Sequence, residues 1–192
     1  MILASGSPRR RELLGRLGVT FAVVPSDIEE VLDGPPSGET VAGLALAKAR
    51  AVAARVGAGV VLGADTVVVL EGVALGKPVD AEDARAMLRR LRGRAHDVIT
   101  GVAVVDAGTG RCETTSVVTR VVMAEVGDDA IAAYVASGEP LDKAGAYAIQ
   151  ERGAALVTEF VGSYSNVVGL PLAATARLLR SFGVEVSAPG ED

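Results

Sequence analysis

The pattern of apolar positions is most informative over residues 60–70, where Val60-Val61-Leu62-Gly63-Ala64-Asp65-Thr66-Val67-Val68-Val69-Leu70 is apolar nearly throughout. Such a run reads as a strand buried on both faces, of the kind found in α/β sheets. Glu71-Gly72 predicts a tight hairpin turn into Val73-Ala74-Leu75. Residues 96–105 and 112–123 read as two more strands joined by the turn 106–110, with Thr115, Val117, Thr119 and Val121 on one face of the second. Shorter apolar runs end at Ala4 and cover 21–24 and 156–161.

Helical spacing fills the intervals. Leu13, Leu14 and Leu17 form the inner face of a first helix, with Ser7 at its N-cap, Pro8 in its first turn and Gly18 beyond its end. Residues 40–56 form a second, whose stripe of Val41, Leu44, Ala45 and Val52 also includes Lys48. Asp80 caps a third helix with Ala84, Met87, Leu88 and Leu91 inside. Asp128 or Asp129 opens a fourth, with Ile131, Tyr134 and Val135 inward, and Leu172, Ala176 and Leu179 mark the last. Residues 25–39 read as a polar, proline-bearing connection, 162–166 as a turn, and 187–192 as a frayed tail. No internal repeat and no clean linker interrupts the pattern.

Length and composition narrow the function. The 192 residues fit one domain, or two small lobes sharing a core, and 49% hydrophobic content suffices to fill it. A formal net charge of −5 and 3% aromatic content disfavour nucleic-acid binding. Cys112 is the lone cysteine and His96 the lone histidine, so an internal disulfide and cysteine- or histidine-rich metal sites are excluded. Charge begins at Arg9, too early for a secretory signal, and no apolar run approaches the roughly 20 residues that span a bilayer. The cytoplasm is the expected compartment.

Three stretches carry candidate chemistry. Arg9, Arg10 and Arg11 occupy the first turn of a helix, where the dipole already places positive charge. Free backbone N–H groups, the Ser5 and Ser7 hydroxyls, Arg9 and Arg10 make a cradle suited to phosphate, the alternative being an exposed basic helix start. Asp65 interrupts an apolar strand, and a carboxylate there needs a partner or a cation, which favours function over a turn-fixing role. Lys48 either snorkels to water or reaches a cleft, and snorkelling is the simpler reading. Gly76-Lys77-Pro78 lacks the upstream glycine and following hydroxyl of a Walker loop, so Lys77 by itself reads as surface. A strand-end hydrogen bond is the expected role of His96. The run from Glu139 to Gln150 passes from a charged, proline-bearing start into small residues where a ligand or backbone can approach closely.

Taken together, the motifs resemble the Maf (septum formation protein) family of nucleoside triphosphate pyrophosphatases. The matching pieces are Leu3-Ala4-Ser5-Gly6-Ser7-Pro8-Arg9-Arg10, Gly63-Ala64-Asp65-Thr66, Lys77-Pro78, Thr100-Gly101-Val102-Ala103, Leu141-Asp142-Lys143-Ala144-Gly145-Ala146-Tyr147, Gly162-Ser163-Tyr164 and Val167-Val168-Gly169-Leu170-Pro171-Leu172. They occur in family order over nearly the whole chain. Ala95 departs from the threonine usual before His96, which removes one hydroxyl contact. The resemblance implies an α/β fold over residues 1–186, with a central mixed twisted sheet, helices on both sides and two lobes around a deep cleft, related to inosine triphosphate pyrophosphatases. It also implies a divalent cation, Mg²⁺ or Mn²⁺, and a homodimer.

By the same resemblance Ser5, Arg9, Arg10, Lys48 and Lys77 bind the substrate, and Asp65 is the proton acceptor. Glu30, rather than Glu29, joins Asp65 on the metal side. Arg9, Thr66 and Gln150 look like the signature of the dTTP/UTP-type subgroup. The implied reaction is hydrolysis of dTTP and UTP, or modified pyrimidine nucleotides, to the monophosphate and pyrophosphate. Four cations to neutralise a triphosphate, carboxylates for a metal and a base for water suit that chemistry. The competing expectation is a non-catalytic nucleotide sensor that regulates division through partner binding, since family members are associated with arrest of septation.

Overall fold

The computed structural model describes residues 1–187, so the expected frayed tail lies outside the described residues from position 188 onward. In chain order the elements are β1 (Ile2–Leu3), α1 (Pro8–Arg16), β2 (Ala22–Val23), α2 (Gly38–Val56), β3 (Val60–Leu70), β4 (Val73–Leu75), α3 (Ala81–Leu91), β5 (Ala95–Asp106), β6 (Cys112–Met123), α4 (Asp128–Ala136), β7 (Val157–Val161), α5 (Tyr164–Val168) and α6 (Leu172–Ser181). Three short 3₁₀ segments, Glu139–Asp142, Ala144–Ala146 and Glu151–Leu156, connect α4 to β7.

The strands form one seven-stranded mixed sheet in the order β2-β1-β3-β5-β6-β7, with β4 beside the far half of β3. β1 runs parallel to both β2 and β3, and every other pairing is antiparallel. Period-two alternation explains how this sheet takes helices on both faces. Leu62 and Ala64 of β3, with Val102 and Val104 of β5, pack against Leu13, Leu14 and Leu17 and against Ala176 and Leu179 of α6. The intervening Val61, Ala103 and Val105 pack against Ala45, Ala49 and Val52 of α2. Further along the first face, Val68, Leu70 and Val98 meet Ala84, Leu88 and Leu91 of α3 and Ile131, Tyr134 and Val135 of α4. Two helix groups therefore share one face of β3, and Thr66 lies between them.

The second face shows how closely α2 approaches. Its start is fixed by reciprocal capping, Thr40 N–H to Ser37 Oγ at 3.2 Å and Ser37 N–H to Thr40 Oγ1 at 2.9 Å. It lies directly on Gly63 and Gly101: a Cβ on Gly63 would stand 2.3 Å from Ala45 O, and one on Gly101 2.5 Å from Ala42 N. Those neighbours are backbone atoms that cannot rotate away. Gly101→Ala is accordingly expected to push α2 outward at a cost of about 1–3 kcal/mol, read as a lower urea midpoint with unchanged slope. An unchanged midpoint would show that α2 has room to spare.

Three expectations are corrected. Residues 162–166 do not make a turn alone: Ser163 caps the one-turn helix α5, its Oγ accepting from Asn166 N–H at 3.0 Å. A helix of five residues is too short to show a period. The strand expected at 21–24 is only Ala22–Val23, because its partner β1 is itself two residues long. The strand expected from 156 begins at Val157, since Leu156 still closes a 3₁₀ segment.

Candidate active site

β3 makes the site possible by being paired incompletely. On one edge β5 accompanies it from Val60 to Val69. On the other, β1 pairs with Val61 and Leu62, and β4 with Val68 to Leu70. Between those partners, around Asp65 and Thr66, no strand covers the second edge among the described residues. A cavity of about 410 Å³ opens there. All nine residues expected at the site line it: Ser5, Arg9, Arg10, Glu30, Lys48, Asp65, Thr66, Lys77 and Gln150.

The chain leaves β1 at Ala4 and turns through Ser5-Gly6-Ser7 into α1. Ser5 Oγ accepts from Ser7 N–H at 3.3 Å and from Arg10 Nη1 at 3.4 Å, and Ser7 Oγ accepts from Arg10 N–H at 3.4 Å. Arg10 crosses the cavity floor, donating from Nε to Gly169 O at 2.9 Å and from Nη2 to Thr66 Oγ1 at 3.0 Å. Burial lowers its pKa, against the opposing charges of Asp65 and Glu30. Arg9 stays nearer solvent and pairs with Asp142 at 3.3 Å.

Opposite α1, α2 delivers Lys48. The side chain does not snorkel. The residue is 4% exposed, and its Nζ donates to Asp65 Oδ1 at 2.5 Å and to Glu30 Oε1 at 2.6 Å. Lys77 Nζ reaches the second oxygen of Glu30 at 3.0 Å. Burial on its own would raise the Glu30 carboxyl, but the hydrogen bonds and charges of Lys48 and Lys77 outweigh it and hold the group at about 2. Asp65 is 5% exposed. A buried ion pair of this kind is seldom the most stable way to fill a core, so its place in a cavity points to use.

Sequence reasoning left several features unseen. Arg9 and Lys77 had no evident partners, because Asp142 and Glu30 approach them only through the fold. Asp142, Lys143 and Tyr147 line the cavity, and their signals were the unusual composition of residues 139–150 and a family-like motif to which no role was assigned. The tyrosine hydroxyl and His96 Nε2 lie 2.6 Å apart, which gives the histidine a hydrogen-bonding role at the start of β5. Tyr147, Val68, Val98 and Val167 make one part of the cavity wall apolar, while the charged groups occupy the other. The cavity thus suits a polyanion attached to a flat, less polar group.

His96 gives a pH prediction. Burial and the charge of Arg120 lower its pKa from 6.5 to about 4, against a backbone contribution from Arg94. The unfolded chain takes up a proton near pH 6.5 that the folded chain refuses until about pH 4. Stability from the neutral ring is therefore complete above pH 6.5 and is lost as pH falls through that window, on the order of 3 kcal/mol in all. Denaturant unfolding measured from pH 7 to 4 should show this slope, and His96→Gln should flatten it. Equal slopes in the two proteins would rule the histidine out as the source.

The carboxylates also bear on a metal. Among the described residues no three His, Cys, Asp or Glu side chains cluster as a complete ligand set. Glu30 and Asp65 offer oxygen only and converge on one ammonium group. A hard divalent ion bound by one or two carboxylates and completed by substrate phosphates needs no more than this, so the residues fit Mg²⁺ or Mn²⁺.

The family model described as Maf-like protein matches residues 1–182. A Moorella thermoacetica protein named dTTP/UTP pyrophosphatase is 56% identical over 187 residues, covering 97% of this chain and 96% of the relative. One of the same name from Anaeromyxobacter dehalogenans is 57% identical over 186 residues, covering 95% and 94%. Among solved structures, the Staphylococcus aureus Ham1 protein aligns over 65% of this chain and 71% of its own, at 14% identity and a TM-score of 0.46. With the family model spanning the sheet, both helix groups and every lining residue of the cavity, the chain belongs to the Maf-like protein family.

Proposed function

We propose that this protein hydrolyses dTTP and UTP to the nucleoside monophosphate and pyrophosphate, with residues 1–186 acting as one domain. The carrying observation is the Asp65–Lys48–Glu30–Lys77 network in the cavity wall, facing Arg9 and Arg10. The relatives named dTTP/UTP pyrophosphatase support the choice of substrate.

In this reading Arg9, Arg10, Lys48 and Lys77 take the triphosphate, offsetting the charge that builds on the departing pyrophosphate. Asp65 holds Lys48 through Oδ1, and its other oxygen takes the proton from water as that water attacks the α-phosphorus. The α-phosphorus–oxygen bond to the β-phosphate breaks, and pyrophosphate leaves. When bound, a divalent cation held by Glu30 and Asp65 supplies Lewis-acid polarisation of the phosphates. Ser5 anchors the turn from which both arginines project. The family resemblance adds a homodimer and a cytoplasmic location to the reading. No helix among the described residues is long and apolar enough to cross a membrane.

The test is kcat/KM for the eight common nucleoside triphosphates with Mg²⁺ or Mn²⁺, assaying pyrophosphate and orthophosphate separately. Pyrophosphate release from dTTP and UTP well ahead of the others is expected. Purine preference or orthophosphate release would overturn the reading, and binding without turnover would favour a nucleotide sensor.

A further inference from the structure

Arg10 is oriented by a chain of hydroxyls whose hydrogen-bond direction is fixed. Thr66 and Thr100 are cross-strand neighbours on β3 and β5, and their Oγ1 atoms lie 2.9 Å apart. Thr100 is 0% exposed, and its Oγ1 lies 3.0 Å from Asn166 O, a buried carbonyl that can only accept. The single Thr100 proton therefore goes to Asn166, because a buried carbonyl without a donor is costly. Thr100 then accepts from Thr66, whose proton takes this 2.9 Å contact over the 3.5 Å one to Gly169 O, a carbonyl already served by Arg10 Nε, and Thr66 in turn accepts from Arg10 Nη2 at 3.0 Å. The order runs from Arg10 through Thr66 and Thr100 to Asn166.

This order has a consequence for the guanidinium. Of its five N–H groups, Nε serves Gly169 O, one on Nη2 serves Thr66 and one on Nη1 serves Ser5. Among the described residues one N–H on each terminal nitrogen is left for a ligand, two charged donors for phosphate oxygens. We propose that Thr100 is a positioning residue for Arg10, acting through the Thr66 hydroxyl, and that this relay aims the free N–H pair at the substrate's phosphates. The proposal rests on the triphosphate reading above. It also gives Thr66 a role as acceptor for Arg10, with no proton left to offer a nucleobase.

A double-mutant cycle on the full chain tests it, read as the dissociation constant of the non-hydrolysable α,β-imido analogue of dTTP. Thr100→Val removes the hydroxyl at nearly constant shape and should weaken binding about tenfold, the worth of one charge-assisted hydrogen bond. Thr100→Ser should recover to within about twofold of wild type. In an Arg10→Ala background, Thr100→Val should add less than about twofold, since the group it aims is gone. A loss as large in that background as in wild type would show a merely structural role and overturn the proposal, as would no loss at all. Should Thr100→Val not fold, Thr66→Val cuts the same relay one bond nearer Arg10 and is judged by the same outcomes. A wild-type chain that fails to bind the analogue overturns the triphosphate reading and this proposal with it. Normal wild-type binding with an additive cycle overturns this proposal alone.

Discussion

Replacing Asp65 by asparagine is expected to lower turnover of dTTP by a factor of about 10²–10⁴ while the chain stays folded. The substitution keeps the shape of the side chain and removes its capacity to take a proton. Its structural consequence is limited by Glu30. Lys48 is held by both carboxylates, so losing the charge on Asp65 still leaves the ammonium paired with Glu30 Oε1 at 2.6 Å. Removing Lys48 itself would strand two carboxylates around an empty position, which is why Asp65→Asn is the cleaner probe. The measurement is kcat for pyrophosphate release beside a thermal melt of the same preparation. A wild-type rate in the variant would remove Asp65 from the role of base. A collapsed melt with normal activity per folded molecule would make it a structural residue.

What could be read from the sequence follows the distance over which each feature is determined. The bounds of β3 were legible because an apolar run with hairpin chemistry at Glu71-Gly72 is a local signal, and Asp65 stood out within it. The third helix was legible for the same reason, its cap at Asp80 accepting from the N–H groups of Glu82 and Asp83. The partner of Lys48 was not. Glu30 lies in a proline-bearing loop without periodicity, and its contact with α2 depends on Gly63 and Gly101 letting that helix settle onto the sheet. The opening in the edge of β3 was equally hidden, because it is set by where two other strands stop. Ser5, Arg9, Arg10 and Asp65 stood out by their chemistry, and the family resemblance added Glu30, Lys48, Thr66, Lys77 and Gln150. The residues around them that the resemblance did not assign, Thr100 and Tyr147 among them, required the fold.

The largest effect on specificity is expected at Gln150. Its backbone is held on both sides. The Tyr134 hydroxyl accepts from Ala148 N–H at 3.2 Å and donates to Glu139 Oε1 at 3.0 Å, and the same carboxylate oxygen accepts from Gly153 N–H at 3.1 Å. Gly153 lies so close beneath Ala148 that a Cβ there would stand 2.2 Å from its carbonyl oxygen. Gln150 therefore projects from a closed, pinned segment, and among the described residues its amide has no hydrogen-bond partner. An amide N–H and C=O match the O4 and N3–H of thymine and uracil, while cytosine presents the reverse pair. An amide turned over would suit cytosine, so discrimination depends on the cavity holding one orientation. With the amide held, a mismatched edge leaves two buried polar groups unpaired, and dTTP should exceed dCTP in kcat/KM by about 10²–10³. Gln150→Glu offers only acceptors, which satisfy one position of each base edge and oppose the other. That variant should bring the dTTP to dCTP ratio to within about tenfold of unity, chiefly by lowering kcat/KM for dTTP. A variant that keeps the wild-type ratio would place the base reader elsewhere in the cavity, and a wild-type ratio near unity would show that the amide turns freely.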